Sequence, residues 1–270
     1  MKRLRVSAIS YLNTAPLMWD FVHTSVGDRF DISYTIPSKC AAALRERSAD
    51  IGIIPAAAYT KIPGLAIIPD IAIASLDAVR SILLVGKVPM DQIKTVAADT
   101  SSMTSVALLQ LLLTKWFTQT AALRPAEPNL AAMLENDDAA LLIGDPALEV
   151  DRSKYHAWDL GSEWRRFTGL PFVFAFWAVR RDAIEDAEQA RELIKIFQES
   201  RDHGLQKLNL DAIAKEWSTK LRLKPDSVLS YLTTNIHYQL DAACLEGLRL
   251  YYRYAEEVGA LPRAPDLQFL

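Results

Sequence analysis

The sequence predicts an α/β protein built as two lobes with a ligand cleft between them, and three observations predict it. Short β-branched runs alternate with helical periods through the first two thirds of the chain, the pattern of mostly parallel sheets covered by helices. The alternation falls into two series, one opening at Leu4 and the other at Thr95. Two apolar extended segments, Val79 to Val85 and Phe172 to Val179, stand as candidate crossovers between the series. With 270 residues, 50% of them hydrophobic and 23% charged, the chain is long enough to give each lobe a core.

In the first series, Leu4 to Ile9 reads as a strand and Thr14 to His23 as a helix. Phe30 to Ile36 is the next strand, followed by a helix from Ser38 to Arg47 with Ser38 placed as its N-cap, and Ile51 to Ile54 reads as a buried strand. The second series runs from a strand at Thr95 to Ala98 through a long helix at about Ser102 to Phe117 to a buried strand at Ala139 to Ile143. The patch Arg124-Pro125-Ala126-Glu127-Pro128 reads as a loop before a helix capped near Asn129. From Ala183 the pattern is helical, with a helix to His203, two more near Leu210 and Asp226, and a last one at Asp241 to Val258. No third strand series remains to be covered, so this tail is expected to pack on the first lobe. The lobes expected are residues 1–85 with 180–270, and residues 86–179, hinged near Val85-Gly86 and Ala178-Val179.

Composition excludes several classes of function. A net charge of -3, from 30 basic and 33 acidic residues, does not suit a nucleic-acid partner, because neutralising phosphates needs clustered Lys and Arg. No apolar run approaches the roughly 20 residues that span a bilayer. The basic start Met1-Lys2-Arg3-Leu4-Arg5 is followed by an apolar stretch broken at Ser7, Ser10 and Asn13, so no export signal is expected and the protein reads as cytoplasmic. Cys40 and Cys244 read as reduced thiols. None of the ten glycines forms a dinucleotide fingerprint or a P-loop, and no Gly-x-Ser-x-Gly elbow occurs. His23, His156, His203 and His237 show no metal-ligand spacing and read as surface or packing residues, His156 standing out only for its aromatic neighbourhood. Neither cofactor nor metal is expected.

The small polar residues are placed more tellingly. Ser10, Asn13 and Thr14 follow the first strand, Pro37-Ser38 the second, Asp99 to Ser105 the strand that opens the second lobe, and Gly144-Asp145-Pro146 follows Ile143. All fall at carboxyl ends of strands, the edge where open α/β sheets bind ligands. Several also begin helices, whose unpaired N–H groups favour an anion. A ligand carrying one or more carboxylates fits. Each residue has a plainer reading as well: Ser38, Ser102 and Thr104 as helix caps, Asn13 as a turn residue and Asp145 as a helix start. Ser81 differs, because a hydroxyl in the apolar run Ser81-Ile82-Leu83-Leu84-Val85 costs free energy unless it is paired, and a place on the cleft lining would explain it.

Five stretches together resemble the chorismate dehydratase family of the futalosine route to menaquinone: Ser10-Tyr11-Leu12-Asn13-Thr14-Ala15-Pro16-Leu17, Pro37-Ser38, Asp50-Ile51-Gly52-Ile53-Ile54-Pro55, Leu142-Ile143-Gly144-Asp145 and Thr168-Gly169-Leu170-Pro171-Phe172-Val173-Phe174-Ala175. They occur in the family's order over most of the chain. The resemblance implies a type II periplasmic-binding-protein fold and conversion of chorismate to 3-[(1-carboxyvinyl)oxy]benzoate with loss of water. It also implies a catalytic pair, Asn13 and Ser81. Ser38, Thr104 and Ser105, with Ser10 and Asp145, are then candidates for holding substrate carboxylates or hydroxyls. Aromatisation drives such a reaction, so the demand on the protein is positioning. Neither Asn13 nor Ser81 is a base at neutral pH, and the expected proton acceptor is the substrate's own enolpyruvyl carboxylate. The naphthoate synthase of the same pathway and fold uses a histidine in the second lobe, where Gly144-Asp145-Pro146 offers none. A non-catalytic carboxylate-binding module is the remaining alternative.

Overall fold

In a computed structural model that describes residues 3–270, the chain forms two five-stranded sheets. Met1 and Lys2, part of the basic start, lie outside the described residues. The strands are β1 (Leu4–Ile9), β2 (Phe30–Thr35), β3 (Ile51–Pro55), β4 (Leu65–Ser75), β5 (Ile82–Gly86), β6 (Thr95–Asp99), β7 (Ala122–Ala126), β8 (Ala139–Ile143), β9 (His156–Asp159) and β10 (Phe172–Arg180). The first sheet has the order β2-β1-β3-β10-β4 and the second β7-β6-β8-β5-β9. The two share one plan: a parallel trio, β2-β1-β3 or β7-β6-β8, continued by an antiparallel strand, β10 or β5. β3 and β8 are buried along their whole length, which is why they read as unbroken apolar runs.

The helices are α1 (Trp19–His23), α2 (Pro37–Arg45), α3 (Met103–Lys115), α4 (Leu130–Asn136), α5 (Asp145–Leu148), α6 (Leu160–Thr168), α7 (Ala187–Gly204), α8 (Lys207–Leu221), α9 (Pro225–Ser230) and α10 (Ala242–Glu257). α7 packs on α1 and β4, as expected of a tail covering the first lobe, whereas α10 lies against both β10 and α3 and so touches both lobes. Trp164 of α6, Phe172 of β10 and Tyr251 of α10 stack edge to face, with ring centroids 4.9 to 6.4 Å apart. Trp164, Phe172, Phe174, Phe176 and Trp177 are all buried, so these aromatics are core.

Several expectations are corrected. Pairing puts β5 in the second sheet and β10 in the first, so the lobes are not divided after Val85 and Val179; the chain crosses at about 76–81 and again at about 160–171. Both expected hinges fall at or near the ends of paired strands, where ladder hydrogen bonds resist bending. β4 escapes a sequence reading because Pro69 and Asp70 interrupt it, Asp70 at φ 63 within a bulged pairing to β10; an edge strand tolerates this. Pro125 likewise sits in an edge strand, β7, not in a loop. The first helical stretch is a 3-10 segment, Leu12–Met18, containing Pro16, and only its end is α-helical. Ser38 is not the N-cap of α2: Ile36 takes that place, with Pro37 in the first turn. Ser102 and Asn129 do cap α3 and α4, each accepting a backbone N–H.

Candidate active site

In each sheet the chain leaves the central strand of the trio toward one neighbour and returns on the other side, opening a crevice at the carboxyl ends. The two crevices face each other. Ile9 of β1, Pro55 of β3, Ile143 of β8 and Ser102 beyond β6 line one small cavity with Tyr11, Asn13, Ile82, Ser105 and Gly144. Its volume is about 40 Å³, room for a few waters at most. The lobes are closed on it. Around the cavity three main-chain N–H groups of the first lobe donate across to the second: Leu12 to Asp145 Oδ1 at 3.1 Å, Ser38 to the Ser101 carbonyl at 2.9 Å, and Ala57 to Thr104 Oγ1 at 2.9 Å. Gly144 has φ 73, and a Cβ there would stand 2.6 Å from the Tyr11 ring, so only glycine lets the two lobes meet at this point.

Of the residues singled out from the sequence, Asn13 and Ser105 line the cavity. Asp145, next to Gly144, is the acceptor for Leu12, and burial pushes its carboxyl up to about 6, with the Leu12 N–H opposing the rise. Ser81 lies just before β5, fully buried, and accepts a hydrogen bond from the Tyr231 phenol at 2.9 Å. The Asn13 side chain lies near the same phenol without a hydrogen bond to it, and its own bond is to Thr14. Ser81, expected on the cavity lining, is not part of it; its neighbour Ile82 is.

Three expected contacts are placed differently. Thr104 is fully buried with its hydroxyl oxygen taken by Ala57, so it joins the lobes. Ser38 presents its amide, not its hydroxyl, to the second lobe. Ser10 is exposed on an outer cavity of about 500 Å³ between the segment after β1 and α8.

Asp159 was not foreseen. Its carboxylate accepts the N–H groups of Val79, Arg80, Gly161 and Ser162, at 2.6 to 3.2 Å. It thereby caps α6 and pins the turn before Ser81, where Arg80 is held at φ 62. Asp99, the last residue of β6, and Ser101 just beyond it are buried; the Ser101 hydroxyl lies near the Tyr11 phenol and the Asp99 carboxyl without reaching hydrogen-bond geometry with either.

Chemically, the cavity offers amides and hydroxyls. Among the described residues, its lining carries no positive charge, so an anion would be held by dipoles and N–H groups. The histidines stand apart from it: His203 pairs with Asp20, His237 with Asp241, His23 stacks on Trp19, and His156 is exposed beside Trp158. His237, Asp241 and Cys244 bring potential ligand atoms within 4.8 Å of one another, but Asp241 is engaged in capping α10 and none of the three lines the cavity. No helix among the described residues is long and apolar enough to cross a membrane.

A profile described as menaquinone biosynthesis matches residues 4–257. The chain belongs to the menaquinone biosynthesis family. A relative of this family from Thermus thermophilus, named chorismate dehydratase, is 30% identical over 94% of each chain. Among solved structures, a protein of Archaeoglobus fulgidus superposes with a TM-score of 0.76 at 17% identity, covering 96% of this chain and 98% of the other. The periplasmic aliphatic sulphonate binding protein of Escherichia coli gives 0.66 at 18%, covering 100% and 94%. This menaquinone-biosynthesis protein therefore has the periplasmic-binding-protein fold that the sequence motifs implied.

Proposed function

We propose that the protein is a chorismate dehydratase, removing water from chorismate to give 3-[(1-carboxyvinyl)oxy]benzoate in the futalosine route, and that it works in the cytoplasm. The observation that carries the reading is the small closed cavity between the facing strand ends, lined by Asn13 of the first lobe and by Ile82, whose neighbour Ser81 is held by the Tyr231 phenol. Family membership and the dehydratase relative support it.

The reaction breaks a ring C–H bond and the neighbouring C–OH bond. The C–H electron pair becomes ring π density, and the leaving hydroxide takes a proton to become water. Charge that builds toward the ring carboxylate needs fixed donors, which the amides and hydroxyls of the cleft supply. In this reading Ser81 donates a hydrogen bond to the departing hydroxyl and Asn13 holds the enolpyruvyl arm, whose carboxylate receives the ring proton and passes it to the departing hydroxide, so that water leaves and both Ser81 and the carboxylate keep their starting states. A protonated Asp145 can donate to a substrate carboxylate that an ionised one would repel. A bicarboxylate with a six-membered ring is several waters in size, so entry requires the lobes to part and closure then excludes water.

The test is to incubate pure protein with chorismate alone and follow the aromatic enol ether by absorbance and mass. Asn13→Ala and Ser81→Ala should lower kcat by about 10²- to 10³-fold with KM changed little. Unchanged chorismate with the wild type, or near-normal rates in both variants, refutes the assignment.

A further inference from the structure

We infer that Tyr231 is a positioning residue of this reaction, occupying an acceptor site of the Ser81 hydroxyl so that its proton is kept for donation to bound substrate; the inference rests on the dehydratase reading above. Tyr231 lies 150 residues from Ser81 in sequence, yet its phenol donates to Ser81 Oγ at 2.9 Å with both side chains buried.

Proton counting then assigns each group its role. A serine hydroxyl has one hydrogen and two lone pairs, and a phenol has one hydrogen. Burial raises the Tyr231 phenol above its ordinary range, so it keeps its hydrogen and spends it on Ser81. Asn13 Oδ1 accepts from Thr14 Oγ1 at 3.3 Å, which leaves the amide nitrogen of Asn13 as its donor. Donation runs from Tyr231 to Ser81, which leaves the Ser81 hydrogen to be given elsewhere. Its protein acceptor is the Val79 carbonyl at 3.5 Å, a long contact that a substrate hydroxyl would readily replace. Ser81 is thereby set as a donor to a departing hydroxyl and not as a base.

The backbone gives a second, independent sign. Tyr231 opens a single turn of π-helix, Tyr231–Asn235, directly after α9. Such turns are rare and occur mostly at functional sites. From the same turn, Asn235 Nδ2 donates to the Ala78 carbonyl at 2.9 Å. Two side chains of one irregular turn therefore grip the crossing segment on either side of the strained Arg80, and the carboxy-terminal helices become part of the site.

The experiment compares Tyr231→Phe, which keeps the ring and removes only the oxygen, in the wild type and in Ser81→Ala. In the wild type, kcat should fall about tenfold to a hundredfold with KM within about twofold. In the Ser81→Ala background the same change should alter kcat by less than about twofold, because the group it orients is gone. Thermal midpoints of the same four proteins, taken without substrate, should be non-additive in the same pair. Equal losses of kcat in both backgrounds, or a change confined to KM, overturn the role. So does a Tyr231→Phe enzyme as fast as an active wild type, whereas a wild type that leaves chorismate untouched overturns the reaction reading and the role with it.

Discussion

Replacing Asp145 with asparagine isolates the effect of one charge on closure. The carboxyl has an ordinary value of 3.8, and burial in the cleft pushes it up to about 6. The folded, closed protein therefore binds this proton more tightly than the unfolded chain does. The stability it contributes is fully present below about pH 4, declines as pH rises through about 6, and is gone above that. A separation of about two pH units corresponds to about 3 kcal/mol at most, less where opening of the lobes rehydrates the group. Asparagine keeps an oxygen that can accept the Leu12 N–H, so the contact survives and only the titration is lost. Urea unfolding of both proteins between pH 4 and pH 8 reads the difference. Asp145→Asn should gain about 2–3 kcal/mol relative to wild type across that interval. Chorismate binding should weaken above about pH 6 in the wild type but not in the variant. Parallel stability profiles for the two proteins would refute the argument, because every other titrating group is common to both.

Two further outcomes test the geometry. Gly144→Ala puts a methyl group into the Tyr11 ring at a backbone angle that only glycine holds easily; it should cost about 1–3 kcal/mol and raise KM, with a larger radius in solution scattering, and a normal KM would contradict it. Asp159→Ala leaves four amides without their acceptor and frees the turn at Arg80, so it should lose about 3 kcal/mol or more in urea and lower kcat through Ser81, with Asp159→Asn recovering part of both; a wild-type kcat in the alanine variant would show that the turn does not place Ser81.

Strands with two covered faces were legible because burial leaves an apolar run with little else in it, as at Ile51–Pro55 and Ala139–Ile143. Edge strands were not. β4 and β7 each carry a proline, which sequence logic takes as a break, and which an edge accommodates because one side of the strand needs no partner. Residues that follow strands could be placed at the cleft, since topology alone sends them there. Which group each would offer was hidden: the Ser38 amide and the Thr104 oxygen are spent on the other lobe, a matter of how two lobes dock. Tyr231 could not be read at all. It reaches Ser81 only because the carboxy-terminal helices fold back, and nothing near residue 231 marks it as different from a buried core tyrosine.

The fastening of one lobe to the other has a consequence for how such a protein changes over generations. Because Leu12, Ser38 and Ala57 offer only their peptide N–H groups, the bonds themselves ask nothing of the side chains there except that none be proline, and it is burial that restricts Leu12 and Ala57. An alanine scan of that lobe would pass over the latch unseen, and amide-to-ester replacement would expose it. The donor half of the clasp is written in the main chain, so substitution short of proline can reach it only through its acceptors, the Asp145 and Thr104 side chains.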